Sequence, residues 1–184
     1  KRFVRCFLAL DKSLAYARHY PAINWLNSYS GYVPDITAWY EENVSPRFME
    51  HRKEMISILG EEANLMEIVK LIGSDVLPDS QKATLEIAKV IRVGFLQQNA
   101  YHKDDTFVPL SKQYAMMDVI LHAKHELDKL TERSIPVSVF LRTGVLDEVS
   151  RIKYSVGNDD LKPIGELKEK ITKTVESILD SYKN

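Results

Sequence analysis

His122 and His125 stand three residues apart with Glu126 beside them, so on a helix both imidazoles share one face and could begin a zinc site. The His-Glu-x-x-His spacing of metalloproteases is absent and the sequence places no further ligand, so a solvated helix surface is expected ahead of a metal-dependent enzyme. Asp104-Asp105 and Asp159-Asp160 are adjacent carboxylates of the kind that serve acid–base catalysis. Each pair lies in a polar stretch beside a helical pattern, where acids favour the positive end of the helix dipole, so capping is expected. Cys6 falls in an apolar run that reads as a buried strand, with no activating side chain set beside its sulfur by the alternation, which predicts an inert thiol. None of the seven glycines is followed by lysine, so these residues hold no Gly-Lys-Ser/Thr phosphate loop. No catalytic residue and no metal ligand is therefore expected here. Two aromatics remain. Tyr20 stands before Pro21 at the exit of a short helical stretch, and Tyr101 closes the run Gly94-Phe95-Leu96-Gln97-Gln98-Asn99-Ala100-Tyr101; taken singly, each is a core or loop anchor.

The elements that must position these residues are mostly helical. Residues 2–10 are apolar on both faces and bounded by Asp11, which predicts a buried strand, and nothing downstream offers it a comparable partner. Asp11 or Ser13 can cap a short helix that Pro21 ends. Residues 24–37, rich in Asn, Ser and Gly with Trp25, Tyr29 and Tyr32 between them, read as a loop. Ser45-Pro46 opens a helix ending near Gly60, and a second follows with Leu65, Ile68, Val69 and Ile72 and stops at Gly73. Residues 75–80 then turn into the helix of residues 80–98, which makes a helical hairpin with a polar tip. Gly94 sits inside that last helix and is expected to weaken it by roughly 1 kcal/mol relative to alanine. After a polar loop over 97–109, helices are predicted over 112–130, 145–154 and 164–182. The last carries Ile164, Leu167, Ile171, Val175, Ile178 and Tyr182 at steps of three and four, the cleanest amphipathic stripe in the chain.

Composition sets the outer limits. The 184 residues suit about one domain. With 25 basic against 26 acidic residues the net charge is −1, which excludes the basic footprint of a nucleic-acid binder. Hydrophobic residues at 45% and charged residues at 28% describe a globular chain rather than a disordered one. The longest apolar runs fall short of the roughly 20 residues that cross a bilayer. A single cysteine argues against a disulfide-stapled secreted scaffold. The first methionine is Met49, so the chain is expected to begin downstream of its gene's start.

The runs Arg18-His19-Tyr20-Pro21-Ala22-Ile23-Asn24-Trp25-Leu26 and Gly94-Phe95-Leu96-Gln97-Gln98-Asn99-Ala100-Tyr101, with the strand ending in Leu10-Asp11 and the turn over 75–81, resemble the C-terminal part of the catalytic A subunit of vacuolar and archaeal-type rotary ATPases. The resemblance covers essentially the whole chain. It implies an all-α fold, a C-terminal helical bundle preceded by one strand left over from an upstream nucleotide-binding domain, with residues 1–20 closing that domain and 21–184 forming the helical one. It implies that Tyr20 and Tyr101 are the aromatic walls of an adenine slot, in places where phenylalanine is common. It implies that Asp75, Val76, Leu77, Pro78 and Asp79 meet the central rotor shaft; Ser80 and Gln81 replace acids often found there, which favours shape over charge in that contact. ATP or ADP and Mg2+ would be held through their phosphates by the upstream domain, with no cofactor bound by this part alone. The implied partners are the central and peripheral stalk subunits with the non-catalytic B subunit, without nucleic acid or membrane insertion, in a cytoplasmic ATPase head peripheral to the membrane. ATP hydrolysis or synthesis, coupled to proton or sodium transport, would belong to the full subunit, not to these residues alone. The alternative is a free-standing all-α interaction scaffold.

Overall fold

The amphipathic stretches assemble around one long central helix. In a computed structural model, which describes residues 3–183, α1 (Lys12–Tyr16) and α2 (Val33–Asn43) lead into α3 (Phe48–Ile72), α4 (Asp79–Val90) and α5 (Lys103–Thr106). The central α6 (Leu110–Glu132), α7 (Val137–Leu141), α8 (Val145–Ser155) and α9 (Lys162–Ser181) complete the bundle. The all-α architecture is the one the sequence predicts. α6 packs against α3, α4, α8 and α9, and its Val119, Leu127 and Leu130 belong with Ile87, Phe140, Ile171 and Val175 to one core closed to solvent. Each such side chain contributes about 1.5–3 kcal/mol relative to exposure. On α9 the predicted stripe faces inward as far as Ile178, while Tyr182 is left outside.

Two expectations are corrected. The helices expected on either side of Gly60 are one, α3, because Gly60 keeps helical geometry and the buried row Met55, Ile58, Leu59, Glu62 and Leu65 runs straight past it. The real stop is Gly73, whose φ of 84° is a conformation that glycine adopts without a Cβ penalty.

The second concerns the strand, whose expected first residue, Arg2, lies outside the described residues. The strand β1 (Cys6–Leu10) does have a downstream partner: it pairs antiparallel with β2 (Ile23–Ser30), which takes up residues 24–30 of the stretch expected to be a loop, while 33–37 of that stretch open α2. The polar residues that make 24–30 look like a loop here build an irregular strand. Cys6 faces Ser30, Phe7 faces Tyr29 and Leu10 faces Ile23, but the register slips between Phe7 and Ala9. At the slip the Asn24 side chain accepts from the amides of Leu26 (3.0 Å) and Asn27 (2.9 Å), and Ser28 Oγ accepts the Ala9 amide (3.0 Å). Nor is β1 buried: Cys6, Phe7, Leu8 and Leu10 are all exposed among the described residues.

Asp11 links this hairpin to α1. Its carboxylate accepts from the Ser13 amide (2.8 Å), the Ser13 hydroxyl (2.6 Å) and the Asn24 side-chain amide (2.8 Å). The Ser13 hydroxyl first, then Asn24, hold its pKa down to about 2 from 3.8. A carboxyl with a depressed folded pKa stabilises the fold fully above its unfolded value and loses that contribution as pH falls through the folded one. The Asp11 carboxyl carbon should therefore titrate near pH 2 by NMR, with the Asn24 side-chain amide shifting in step; a midpoint near 4 would mean that the cap does not form.

Candidate functional site

At the C-terminus of α4 the helix does not stop but widens into a π-helical segment, Ile91–Leu96, closed by the Gln97 amide donating to the Arg92 carbonyl at 2.9 Å. Such segments, in which a carbonyl is paired five residues on, recur at functional sites. Gly94 is its pivot. A Cβ there would lie 3.0 Å from both Cα and O of Ser150, so the segment lies flush against α8 only because this residue has no side chain. The expectation that Gly94 merely weakens a helix is thereby replaced by a packing role.

The stretch carrying Tyr20 docks on this segment. His19, buried, donates from Nε2 to the Arg92 carbonyl (2.9 Å) and packs its ring on Trp25. The Gln97 side chain reaches the Arg18 carbonyl (3.5 Å), and the Gln98 amide donates to the Tyr20 carbonyl (2.7 Å). Arg92 in turn pairs with the largely buried Glu62 at 2.8 Å. The residues that lead to Tyr20 and to Tyr101 are thus joined backbone to backbone, although they stand far apart in sequence. Both phenol rings face solvent, Tyr20 at 55% and Tyr101 at 99% exposure.

The loop that presents Tyr101 is fixed from beneath. The Asn99 amide donates to Asp105 Oδ2 (2.6 Å), Thr106 Oγ1 donates to the Ala100 carbonyl (2.9 Å), and the Tyr101 amide donates to Asn99 Oδ1 (3.0 Å). Asp105 is buried, and Lys153 Nζ, equally buried, lies 3.4 Å from the same Oδ2, an ion pair whose angle falls short of a hydrogen bond. Burial lowers the Lys153 pKa and Asp105 opposes the shift; burial, then Asp105, raises that of the Tyr154 phenol. Below them Lys112, fully buried, donates to the carbonyls of Lys153 (3.2 Å) and Val156 (2.6 Å) and to Asn158 Oδ1 (3.0 Å). A cation thus meets the free carbonyls at the end of α8, where the helix dipole favours it. Burial lowers the Lys112 pKa, offset by Asp104 and Asp105.

The other predicted residues fall elsewhere. His122 pairs with Thr172 Oγ1 (2.8 Å) and His125 with Glu54 (2.7 Å), on different neighbouring helices, and no group of three potential metal ligands is gathered among the described residues. The capping expected of the two carboxylate pairs is met in part: Asp160 accepts the Lys162 amide (3.1 Å) at the start of α9, whereas α5 is capped by the His102 side chain, with Asp104 and Asp105 inside its first turn and Asp105 turned to the Asn99 amide. At the tip between α3 and α4, Asp75, Val76 and Pro78 are exposed, while Leu77 is buried and Asp79 Oδ1 accepts the Val137 amide (3.1 Å) at the start of α7. Leu71 at 84%, Ile72 at 61% and Val76 at 61% exposure make this tip apolar as well as acidic.

Sequence reasoning missed Lys112 and Lys153 altogether. A signal existed: Lys112 shares a helical row with Met116, Val119 and Ala123, and Lys153 one with Val145 and Val149, all of them buried. A lysine on an apolar row is a buried cation in search of acceptors.

These features define a class: an all-α bundle with a two-stranded antiparallel sheet attached at its N-terminal side. The family model described as the C-terminal domain of V and A type ATP synthase matches residues 37–138. The V-type ATP synthase alpha chain 2 of Clostridium tetani is 48% identical over 100% of this chain and 31% of its own length. The V-type ATP synthase alpha chain of Halothermothrix orenii is 43% identical over 99% of this chain and 31% of its own length. A solved structure, that of the ATP synthase protein NeqB from Nanoarcheaum equitans, superposes with a TM-score of 0.56 over 67% of this chain and 29% of that chain. At 20% identity that likeness is one of fold. The chain belongs to the V- and A-type ATP synthase C-terminal domain family. It spans 31% of the length of these two curated relatives, and no helix among its described residues is long and apolar enough to cross a membrane.

Proposed function

We propose that this chain is the C-terminal helical domain of the catalytic subunit of a V/A-type rotary ATPase, supplying the aromatic walls of an adenine slot through Tyr20 and Tyr101. The observation that carries the reading is the Gln98–Tyr20 backbone hydrogen bond of 2.7 Å, which joins the two stretches while both rings stay unpacked. An exposed tyrosine on an anchored backbone is a π-face held ready for a flat ligand. The chain offers such faces but no Gly-Lys phosphate loop. The phosphates and Mg2+ would therefore be held by residues outside these 184, and hydrolysis or synthesis of ATP belongs to the full subunit.

The helical hairpin is the second working part. Closure of a nucleotide site moves whole elements, and α3 and α4 would carry such movement to the tip at Asp75, Val76 and Pro78, against the central shaft. The apolar tip favours a contact of shape over one of charge, with Leu71, Ile72 and Val76 as its outer surface. Leu77 and Asp79 support it from inside, through burial and through the bond to Val137. The further partners would be the peripheral stalk and the B subunit, with proton or sodium transport as the coupled process.

Photolabelling of the full subunit with an azido-adenine nucleotide tests the slot. Covalent label recovered on peptides containing Tyr20 or Tyr101, and competed by ATP, is the expected result. Competable label confined to other peptides would remove these two residues from the site.

A further inference from the structure

We propose that the buried Asp105–Lys153 pair is the positioning device of the Tyr101 loop, setting the backbone from which that ring meets its ligand. The inference rests on the reading of Tyr101 as a purine contact and adds to it two residues that touch no ligand.

The loop has no packing reason to be ordered. Asn99, Ala100 and Tyr101 are all exposed, so almost no apolar burial offsets the entropy lost in fixing them. Its order comes from polar bonds, and among these the Asn99 amide reaches a buried group, Asp105 Oδ2, at 2.6 Å. Asp105 is 1% exposed and shares that oxygen with Lys153, also 1% exposed, at 3.4 Å. A buried pair of this geometry is a poor source of stability, because desolvating both charges consumes most of what their attraction returns. What it supplies is direction: a carboxylate oxygen held at one point under the loop. The Lys153 backbone is itself held, its carbonyl taken by Lys112, and Asn158, which accepts from Lys112, donates to the Phe107 carbonyl at 2.9 Å on the far side of α5. A column of buried polar groups therefore runs from α6 through α8 to the Asn99 amide. Binding sites depend on such second supports, since a ring displaced by about 1 Å loses much of its contact.

The test uses the full subunit with Asp105→Ala, Asp105→Asn, Lys153→Met and Tyr101→Ala. Hydrogen exchange at the Asn99 amide should quicken by about tenfold or more in Asp105→Ala while amides of α6 and α9 keep their protection. Asp105→Asn retains an acceptor oxygen and should restore most of the slow exchange. ATP affinity should fall about three- to tenfold in Asp105→Ala, less than in Tyr101→Ala, and the double substitution should be no weaker than Tyr101→Ala alone, because one residue acts through the other. Unchanged Asn99 exchange, or affinity losses that simply add, would overturn the proposal. If Asp105→Ala does not fold, Lys153→Met carries the same comparison. The two readings fail differently. Full affinity in Tyr101→Ala removes Tyr101 from the slot, whereas loss in Tyr101→Ala with full affinity in both Asp105→Ala and Lys153→Met sinks the positioning role alone.

Discussion

Alanine at Tyr20 or Tyr101 in the full subunit should weaken ATP binding by about 1–3 kcal/mol, the range for loss of one base–aromatic stack and equivalent to roughly 5- to 150-fold in Kd. The fold should not notice. The two rings are 55% and 99% exposed, and the bond that joins their stretches uses the Tyr20 carbonyl, which alanine keeps. Thermal unfolding of either variant should therefore stay within about 2 °C of the parent, the shift set by surface changes of under about 0.5 kcal/mol. Phenylalanine at either position keeps the π-face and should bind nearly as the parent does. Equilibrium titration with a fluorescent ATP analogue, beside a melting curve, measures both quantities. Unaltered affinity in both alanine variants would place the purine elsewhere, and lost affinity with a lowered melting temperature would mean that the rings act as packing.

The bundle is open to sequence reading because its signal is local and repeated. The row Ile164, Ile171, Val175, Ile178 needs only the helical period to be recognised, and all four residues are buried. The pairing of β1 with β2 is not, since Asn24, Asn27 and Ser28 are turn formers by type and become strand residues only through side-chain bonds made at a slip in register. The same divide runs through the site. Tyr20 and Tyr101 stand out by resemblance to a family; no periodicity marks the Tyr20 and Gln98 backbones as hydrogen-bonded. Asp105 is expected to cap a helix but stands inside α5, which His102 caps, and its pairing with Lys153 depends on how α5 and α8 come together. The hairpin tip shows the limit in reverse. Its turn is plain from Gly73 and Pro78, yet only the packing tells that Leu77 points in while Leu71, Ile72 and Val76 point out.

Gly60 and Gly94 bring that divide to a measurable sign. Both stand inside helical stretches, and helix propensity alone expects alanine to stabilise each by about 1 kcal/mol. At Gly60 a Cβ would meet nothing within 4 Å, so Gly60→Ala should deliver that gain, a rise of roughly 2–4 °C in melting temperature for a chain of this size. At Gly94 the same Cβ would meet Cα and O of Ser150 at 3.0 Å, and these are backbone atoms that cannot rotate away. α8 would have to move off the π-helical segment, an overpacking cost of about 1–3 kcal/mol that exceeds the propensity gain. Gly94→Ala should therefore lower the melting temperature. Because α8 also carries Lys153, its displacement draws the ammonium away from Asp105, and the Asn99 amide should exchange faster than in the parent. A stabilised Gly94→Ala would show that α8 yields at no cost, and that the contact with Ser150 does not set the position of the segment from which the Tyr101 loop departs.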